Sequence, residues 1–243
     1  AEGPFQGYDA PGSHFSRRLA LVHRALADVL SSLPPGPAFV LDICGGEGRV
    51  LLPVLAAHPR RADLTAAIIE LDPTSVARAR EHVERLGLTC VEVHHRDAGL
   101  SDTYAGLPRA AVVILSGVLV HLAPTGRRRL LGFLRQVGAP GVVLVWTAGN
   151  RLEPTRLARI RRAVLHEVGP RLHRSQVRIG PAGLWVRHEV GASRLEHAVL
   201  PLQPGQRVFA MRDPVERRFV PAAVRPLLKW LIARQAGSVP GAE

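Results

Sequence analysis

The sequence is poor in cysteine: Cys44 and Cys90 are the only two in 243 residues. Two cysteines are too few for the disulfide framework that stabilises small secreted proteins. Long apolar runs are also missing, and without about 18 consecutive uncharged apolar residues we predict no membrane span. The N-terminus lacks the basic-then-apolar order of a signal peptide, so we predict a cytoplasmic protein.

Lysine is nearly absent, since Lys229 is the only one and arginine supplies the rest of the positive charge. The net charge of +12 is uneven: residues 1–150 hold 15 basic and 13 acidic residues, whereas residues 151–243 hold 17 and 7. This asymmetry is consistent with an anionic partner, such as an acidic substrate, nucleic acid or a membrane surface. Solvated arginine faces in an arginine-rich chain explain the same numbers without a partner.

From residue 38 onward, short apolar runs alternate with amphipathic segments. Helical spacing and capping residues predict helices over residues 16–32, 47–57, 74–86, 125–137 and 154–168. The apolar runs predict strands over residues 38–43, 64–69, 90–94, 110–115 and 141–146. This order predicts an α/β fold with a parallel sheet and helices on both faces. After residue 169 the candidates 175–179, 184–190 and 207–211 predict an antiparallel finish to the sheet.

A glycine turn follows the first predicted strand. Its glycines, Gly45, Gly46 and Gly48, do not have the G-x-G-x-x-G spacing of a dinucleotide site. Asp42 and Glu47 flank the turn, and two carboxylates beside a pyrophosphate would repel it strongly in a partly buried site. We therefore interpret the turn as a loop for an ammonium or sulfonium group.

Acidic residues also end the next two predicted strands. Glu70 lies 22 residues beyond Gly48, where a carboxylate can accept both ribose hydroxyls of a nucleoside. Asp97 ends the third strand, in a position suited to an adenine amino group. Taken singly, each acid has another explanation, since Asp97 suits a turn and Glu70 or Asp72 suits a helix cap; for Asp72 we favour the cap. Together with the loop, Glu70 and Asp97 predict S-adenosylmethionine as the cofactor.

At this point the sequence resembles the class I S-adenosylmethionine-dependent methyltransferases, over about residues 38–147. The resemblance rests on three segments: Val40-Leu41-Asp42-Ile43-x-x-Gly46-x-Gly48-Arg49, Glu70-Leu71-Asp72-Pro73 and Arg96-Asp97-Ala98. Two flanking segments resemble a narrower group of uncharacterised bacterial methyltransferases: Tyr8-Asp9-x-Pro11-Gly12-Ser13 and Pro201-Leu202-x-Pro204-Gly205-x-Arg207-x-Phe209.

The resemblance implies a Rossmann-like fold with a seven-stranded, mostly parallel sheet, helices on both faces and an antiparallel last strand. In that strand order the second strand separates the first from the third. Cys44 and Cys90 would then lie about 10 Å apart, beyond the reach of a disulfide. The chain departs from the family at Cys44, where glycine is usual, and a side chain there would press against the cofactor.

The resemblance also implies roles for individual residues. It assigns the methionine portion of the cofactor to Asp42, Cys44 and Gly46, and the nucleoside to Glu70, Leu71, Asp97 and Ala98. Ser116 and Gly117 would border the methyl group and the substrate. Tyr8 and His14 of the N-terminal arm would close over the cofactor. His121, shortly after the fourth strand, is the candidate general base, although a structural histidine is the common alternative.

We divide the chain into three parts: residues 1–37 as an arm and helix forming a lid over cofactor and substrate, residues 38–212 as the methyltransferase domain, and residues 213–243 as a basic helical tail. The tail helix would pack on the sheet or pair with a second copy in a homodimer. A membrane-surface role for the tail is a lesser alternative.

Several methyl acceptors leave signatures that the sequence lacks. Methylation of base amino groups needs an Asn or Asp with two prolines and an aromatic after the fourth strand, where this chain has Ser116-Gly117-Val118-Leu119. Cytosine methylation needs a Pro-Cys nucleophile, and a metal-dependent catechol-type site needs clustered carboxylates; neither is present, and we predict no metal. Trp146, Trp185 and Trp230 are too scattered for a single-strand stacking platform, and Trp146 should lie in the core.

Three hypotheses from different classes follow. The favoured one is a methyltransferase acting on a small molecule, with an anionic acceptor as one option, which releases S-adenosylhomocysteine. An RNA methyltransferase is the second, supported only by the basic C-terminal half. The third is a relative that keeps the fold without methylating, as a binding module or a cyclase.

Overall fold

The computed structural model describes residues 14–149, 154–179 and 186–211. Within them the helices are α1 (His14–Ser32), α2 (Leu52–Ala57), α3 (Pro73–Arg85), α4 (Pro124–Val137) and α5 (Pro154–Glu167). The strands are β1 (Ala38–Ile43), β2 (Leu64–Glu70), β3 (Val91–His95), β4 (Ala110–Leu115), β5 (Gly138–Gly149), β6 (Arg171–Ile179) and β7 (Val186–Arg194). Short 3₁₀ turns lie at Arg61–Asp63, Ser101–Tyr104 and Leu119–His121.

All seven strands form one sheet in the order β3-β2-β1-β4-β5-β7-β6. The pairs among β1 to β5 are parallel, whereas β7 runs antiparallel to both of its neighbours, β5 and β6. The predicted fold class is therefore confirmed, including the antiparallel finish. The predicted strand over 207–211 is wrong: Arg207 makes only an isolated bridge, to Leu100, at some distance from the main sheet.

The central parallel strands are apolar along most of their length because helices cover both faces of the sheet. On one face, α4 and α5 pack against alternate strand residues such as Leu41 and Leu144. On the other, α1, α2 and part of α3 pack against Val40 and Ile68. Trp146 lies in the first of these layers with 1% of its surface exposed, as predicted.

Helix α1 contributes a full apolar stripe to the second layer. Val22, Leu26 and Leu30 recur at helical spacing and are fully buried. The helix is thus packed on the sheet along its length. The three-part division of the chain stays a prediction, and Tyr8 and the tail 213–243 lie outside the described residues.

The segment after the glycine turn forms less helix than predicted. Residues 46–51 make successive turns, and regular helix begins only at Leu52. Pro53 therefore stands in the first turn of α2, where its missing N–H breaks no helical hydrogen bond. The predicted helix over 47–57 is wrong in its first half. A helix that began at residue 47 would have had Pro53 in its interior, where proline removes a hydrogen bond, and the later start avoids this.

Strand direction decides where the candidate residues meet. The carboxyl ends of β1, β2, β3 and β4 lie along one edge of the sheet because these strands are parallel. Asp42, Glu70, Asp97 and Ser116 all lie at or just beyond these ends. Cys44 and Cys90 are both free thiols. None of the described helices is both long and apolar enough to cross a membrane.

Candidate functional site

The loop after β1 has a tightly turned backbone. Cys44, Gly46 and Gly48 all have positive φ, at 56°, 58° and 73°. Glycine adopts this left-handed region freely, whereas a side chain at Cβ is strained there. Cys44 is the only non-glycine residue with positive φ among the described residues. Glycine, which the resemblance predicts at this position, would adopt this conformation freely, and the chain keeps the conformation with Cys44 in its place.

Glu70 closes the loop from the neighbouring strand. One of its carboxylate oxygens accepts a hydrogen bond of 2.9 Å from the backbone N–H of Gly46. The other accepts from the N–H groups of Leu71 and Asp72, at 2.8 and 2.9 Å. These three donors hold the carboxylate at the carboxyl edge, directly against the glycine loop. The Leu71 side chain next to it is 60% exposed, a surface on which a flat ring could pack.

Asp42 lies beneath the same loop and is almost completely buried, with 1% exposed. Its Oδ2 has no hydrogen-bond partner. Burial, reinforced by the nearby negative charge of Glu70, raises the pKa of Asp42 to about 7. A buried carboxylate with an open oxygen is suited to a cation, because an incoming positive charge would compensate both the burial and the repulsion.

Glu47 was predicted to flank the turn with Asp42 and to favour a cation there, but two arginines already neutralise it. It is buried, and its two oxygens pair with Arg78 Nη1 at 2.6 Å and Arg49 Nε at 2.7 Å. Burial alone would raise the pKa of Glu47, but the hydrogen bonds from Arg78 and Arg49 outweigh it and hold the pKa below its usual range. The second carboxylate at the loop is instead Glu70.

Cys44 sits among these acids. The half-buried thiol has its pKa raised, first by burial and then by the charges of Glu70, Asp42 and Asp97. It is therefore a neutral, weakly nucleophilic group at the site. Acidic residues from the ends of β1, β2 and β3 therefore all act on this one thiol.

Asp97 follows β3, where the sequence predicted it, but both of its oxygens already have partners. Oδ1 accepts from the Gly99 N–H at 2.8 Å, and Oδ2 accepts from Arg207 Nη1 at 2.7 Å. Next to it, the buried Ala98 has its carbonyl fixed by a 2.7 Å hydrogen bond from the Tyr104 hydroxyl. The sequence analysis gave no role to Tyr104, six residues beyond Ala98, or to Arg207, 110 positions beyond Asp97.

The end of β4 is fixed by a residue that sequence reasoning also missed. The N–H of Gly117 donates to Oγ1 of Thr147 on β5, at 2.7 Å. Thr147 is buried, and it is the one polar residue in the apolar run 142–148, a signal that could have drawn attention to it. Ser116 and Gly117 are half-buried beside it.

His121 lies in the 3₁₀ turn Leu119–His121 beyond β4, and it is half-buried. The buried Arg127 supports that turn, donating from Nε to the Leu119 carbonyl at 3.0 Å and from Nη2 to the Leu122 carbonyl at 3.3 Å. The turn therefore has a defined position at the carboxyl edge, and the catalytic role of His121 stays a prediction.

Three basic residues of the C-terminal half contact a buried carboxylate, with 30–40% of each side chain exposed. Arg161 of α5 and Arg174 of β6 place Nε 3.1 Å from one oxygen of the fully buried Glu189, and Arg171 approaches the other oxygen at 3.5 Å. Gln176 adds a 2.6 Å hydrogen bond to the same carboxylate. These contacts join α5, β6 and β7, so three arginines converge on a structural carboxylate.

Four kinds of group lie together at the carboxyl edge of the sheet. Asp42 presents an unpaired buried oxygen for a cation, Glu70 an ordered carboxylate, Leu71 an exposed apolar surface, and Asp97 with Ala98 a polar edge. Across the described ranges, no group of three or more His, Cys, Asp or Glu side chains is placed to hold a metal ion.

Comparison with known proteins agrees with this geometry. A family model described as a methyltransferase domain matches residues 40–141, from β1 to the start of β5. A comparison with curated protein sequences finds no match.

Three solved structures show the same fold at low identity. Magnesium protoporphyrin IX methyltransferase (ChlM) from Synechocystis PCC 6803 with bound SAM has a TM-score of 0.56 and 14% identity, over 81% of this chain and 86% of that one. The N-terminal domain of EvdMO1 with SAH bound gives 0.55 and 19%, over 81% and 87%. The [4+2]-cyclase SpnF gives 0.55 and 15%, over 73% and 82%.

Proposed function

We propose that this chain is a class I S-adenosylmethionine-dependent methyltransferase, as its matched domain and its fold support, and that it transfers the methyl group of S-adenosylmethionine to a small-molecule acceptor. Two of the similar structures, ChlM and EvdMO1, were solved with the cofactor or its demethylated product bound, which supports the same cofactor here.

One observation carries the cofactor assignment: the buried Asp42 with its open oxygen lies under a loop that Glu70 closes. A pyrophosphate at this loop would meet two acidic side chains without a paired cation. An ammonium or sulfonium group would instead relieve the cost of keeping Asp42 charged. The methionine end of the cofactor therefore belongs beside Asp42 and Gly46.

The nucleoside end belongs to the neighbouring strands. The Glu70 carboxylate already accepts three N–H groups, and Oε2, which accepts only that of Gly46, retains lone-pair capacity for a ribose hydroxyl. The exposed side chain of Leu71 would pack against the adenine ring, and Asp97 would accept from its amino group. Cys44, Ala98, Ser116, Gly117 and Tyr8 complete the proposed binding set.

When bound, the cofactor supplies an electrophilic methyl group on a sulfonium. The chain contributes mainly position, because in-line displacement is accelerated by holding the reactants in contact and in line. Gly117, fixed by Thr147, would form the wall next to the methyl group. His121 would take a proton from a hydroxyl or ammonium acceptor.

The acceptor is proposed to be a small molecule because the sequence lacks the signatures of base methylation. The Glu189 carboxylate offsets part of the positive charge of Arg161, Arg171 and Arg174, a charge that would otherwise favour RNA or an anionic acceptor.

Calorimetric titration with S-adenosylmethionine tests the cofactor assignment. We expect binding in the micromolar range for the wild type and at least tenfold weaker binding for Glu70→Ala. The matched control is Glu84→Ala, on the exposed side of α3, which should bind as the wild type does. Absence of binding at millimolar cofactor, with Glu70→Ala indistinguishable from wild type, would remove the enzyme assignment.

A second measurement separates the classes of acceptor. Release of S-adenosylhomocysteine is followed with pools of small hydroxylated, amino and carboxylic acceptors, and separately with total RNA. Turnover on a small-molecule pool supports the proposal. RNA-dependent turnover, with affinity for RNA falling steeply as salt rises, would replace it with the RNA methyltransferase. Cofactor binding without turnover on any pool would favour the non-methylating relative.

A further inference from the structure

The segment after β7 returns to the cofactor edge of the sheet. We refer to residues 195–211 as the C-terminal strap. At its start, the Leu200 carbonyl accepts from Arg109 and the Ala198 carbonyl from Arg135. At its end, Val208 and Phe209 are buried in the same core layer as Tyr104 and Phe133. The strap therefore runs from the end of β7 to the loop that follows β3.

The end of the strap is bound closely to that loop. The Val208 N–H donates to the Gly99 carbonyl at 2.8 Å, and the Ser101 N–H donates to the Gln206 carbonyl at 3.0 Å. The Gln206 N–H donates to the Ser101 hydroxyl at 2.9 Å. These hydrogen bonds flank the isolated antiparallel bridge that places Arg207 opposite Leu100.

Gly99 permits this close approach. A Cβ at position 99 would lie 2.3 Å from the Phe209 carbonyl oxygen and 3.1 Å from Arg207 Nη1. The absence of a side chain thus brings the strap backbone directly against the loop. It also brings the Arg207 guanidinium to Asp97, a residue 110 positions earlier in the chain.

We propose that Arg207 is a positioning residue for adenine recognition and that the C-terminal strap forms part of the cofactor site. This inference rests on the proposed function, in which Asp97 accepts from the adenine amino group. The Gly99 N–H on Oδ1 and Arg207 on Oδ2 fix the rotation of the Asp97 carboxylate. Its remaining lone pairs then point in set directions, so an amino group is accepted and a carbonyl at the same place is repelled.

The segment Pro201-Leu202-x-Pro204-Gly205-x-Arg207-x-Phe209 acquires a physical role in this way. Gly205 donates its N–H to Asp102 at 2.8 Å, and Phe209 anchors the far side in the core. Arg207 lies between these two anchors, with its side chain half exposed and directed to Asp97. A strap held on both sides of Arg207 keeps the guanidinium in one position.

The test compares binding of two ligands, S-adenosylhomocysteine and S-inosylhomocysteine, in which a carbonyl replaces the adenine amino group. We expect the wild type to prefer the adenosyl ligand at least tenfold, and Arg207→Ala to lose most of that preference. Arg207→Lys, which keeps the charge without the planar fork, should retain an intermediate preference. Asp97→Asn combined with Arg207→Ala should discriminate no less than Asp97→Asn alone, because Arg207 acts through Asp97.

Arg109→Ala is the matched control, since Arg109 also holds the strap but does so at Leu200. It should leave the preference unchanged even if it lowers the melting temperature. An unchanged preference in Arg207→Ala would overturn the inference, and so would an equal loss in Arg109→Ala, which would indicate a purely structural strap. If Arg207→Ala does not fold, the test uses Arg207→Lys. A preference for S-adenosylhomocysteine as large as that of the wild type would then overturn the inference. A wild type that binds neither ligand would overturn the proposed function itself.

Discussion

Asp42 is the residue at which burial and charge conflict most directly. It has no hydrogen-bond partner for Oδ2 and lies near the charge of Glu70. A carboxyl group in such surroundings takes up a proton unless a cation arrives. The ligand-free protein thus carries a cost at Asp42 that a positively charged cofactor would relieve.

This cost predicts a pH dependence of stability. The pKa of Asp42 is about 7 in the folded protein and about 4 in an unfolded chain. Between these values the folded state binds the extra proton, so the free energy of unfolding falls as pH rises through the window. Asparagine does not ionise, so Asp42→Asn should not lose stability in this pH window. At pH 8 we expect its free energy of unfolding to exceed that of the wild type by roughly 2–4 kcal/mol.

Urea unfolding of the ligand-free protein at pH 5 and pH 8 measures this difference. The stability gain of Asp42→Asn should shrink toward pH 5, where the wild-type carboxyl is protonated in the folded state. Asp28→Asn, at an exposed position on α1, is the control and should show no such trend. An equal gain at both pH values would contradict a raised pKa at Asp42.

Cys44 gives a second prediction at the residue scale. Its φ of 56° costs about 1 kcal/mol for a residue with a side chain. Glycine removes that strain but has more freedom to lose on folding, so Cys44→Gly should change stability by less than about 1 kcal/mol. Cys44→Val should be destabilised further, because a β-branched residue tolerates positive φ poorly.

Cofactor affinity should respond differently from stability at this position. We expect Cys44→Gly to bind S-adenosylmethionine several-fold more tightly, since a side chain beside the ligand is removed. Titration calorimetry measures the change, with Cys90→Ala, at the other free thiol, as the control. Weaker binding by Cys44→Gly would mean that the thiol contributes a favourable contact.

At the scale of elements, the join between α1 and β1 depends on one arginine. Arg60 donates from Nη1 to the carbonyls of Leu30 and Leu33 and from Nη2 to those of Pro34 and Gly36. Leu30 also accepts from the Leu33 N–H at 3.4 Å, but the other carbonyls lie beyond the last regular helical hydrogen bonds of α1. A guanidinium also complements the negative end of the helix dipole. Arg60 thus fixes where the chain enters the first strand.

Arg60→Ala should lower the free energy of unfolding by about 2 kcal/mol, because several carbonyls lose a charged donor together. Arg61→Ala is the matched control. Arg61 is next to Arg60 in sequence and its side chain is exposed, so we expect the free energy of unfolding to change by less than about 0.5 kcal/mol. Chemical denaturation of both variants measures the contrast. Equal effects would show that the Arg60 contacts are replaced by water without cost.

Elements were predicted well where their signal is local. The Asp72 cap of α3 is confirmed by a 2.7 Å hydrogen bond from the Ser75 N–H. The start of α2 and the segment 207–211 were predicted wrongly, for different reasons. In the first, turns of the glycine loop extend to Leu51; in the second, an apolar stretch packs into the core beside a single bridge.

At the scale of the whole molecule, the charge network around Glu189 joins the last third of the chain to the sheet. Glu189→Gln keeps the shape but leaves three converging guanidiniums without a counter-charge. We expect a loss of roughly 3 kcal/mol in the free energy of unfolding, as for a broken buried ion pair. Glu92→Gln, at a side chain that is 75% exposed, is the control.

Thermal and urea unfolding at low and high salt measure this effect. Salt should reduce the penalty in Glu189→Gln by screening the repulsion between Arg161, Arg171 and Arg174. A variant as stable as the wild type would indicate that the arginines turn outward once Glu189 is neutral, and it would return basic surface to the RNA hypothesis.

The sequence by itself determined the alternating fold, the parallel sheet and the acids at the ends of β1, β2 and β3. These are properties of local pattern, because strand periodicity and turn residues act over neighbouring positions. Only the tertiary structure decided which charges meet. Glu47 pairs with Arg78, Glu189 gathers three arginines, and Arg207 reaches Asp97. Such contacts depend on how distant segments return to one place, which local pattern does not encode.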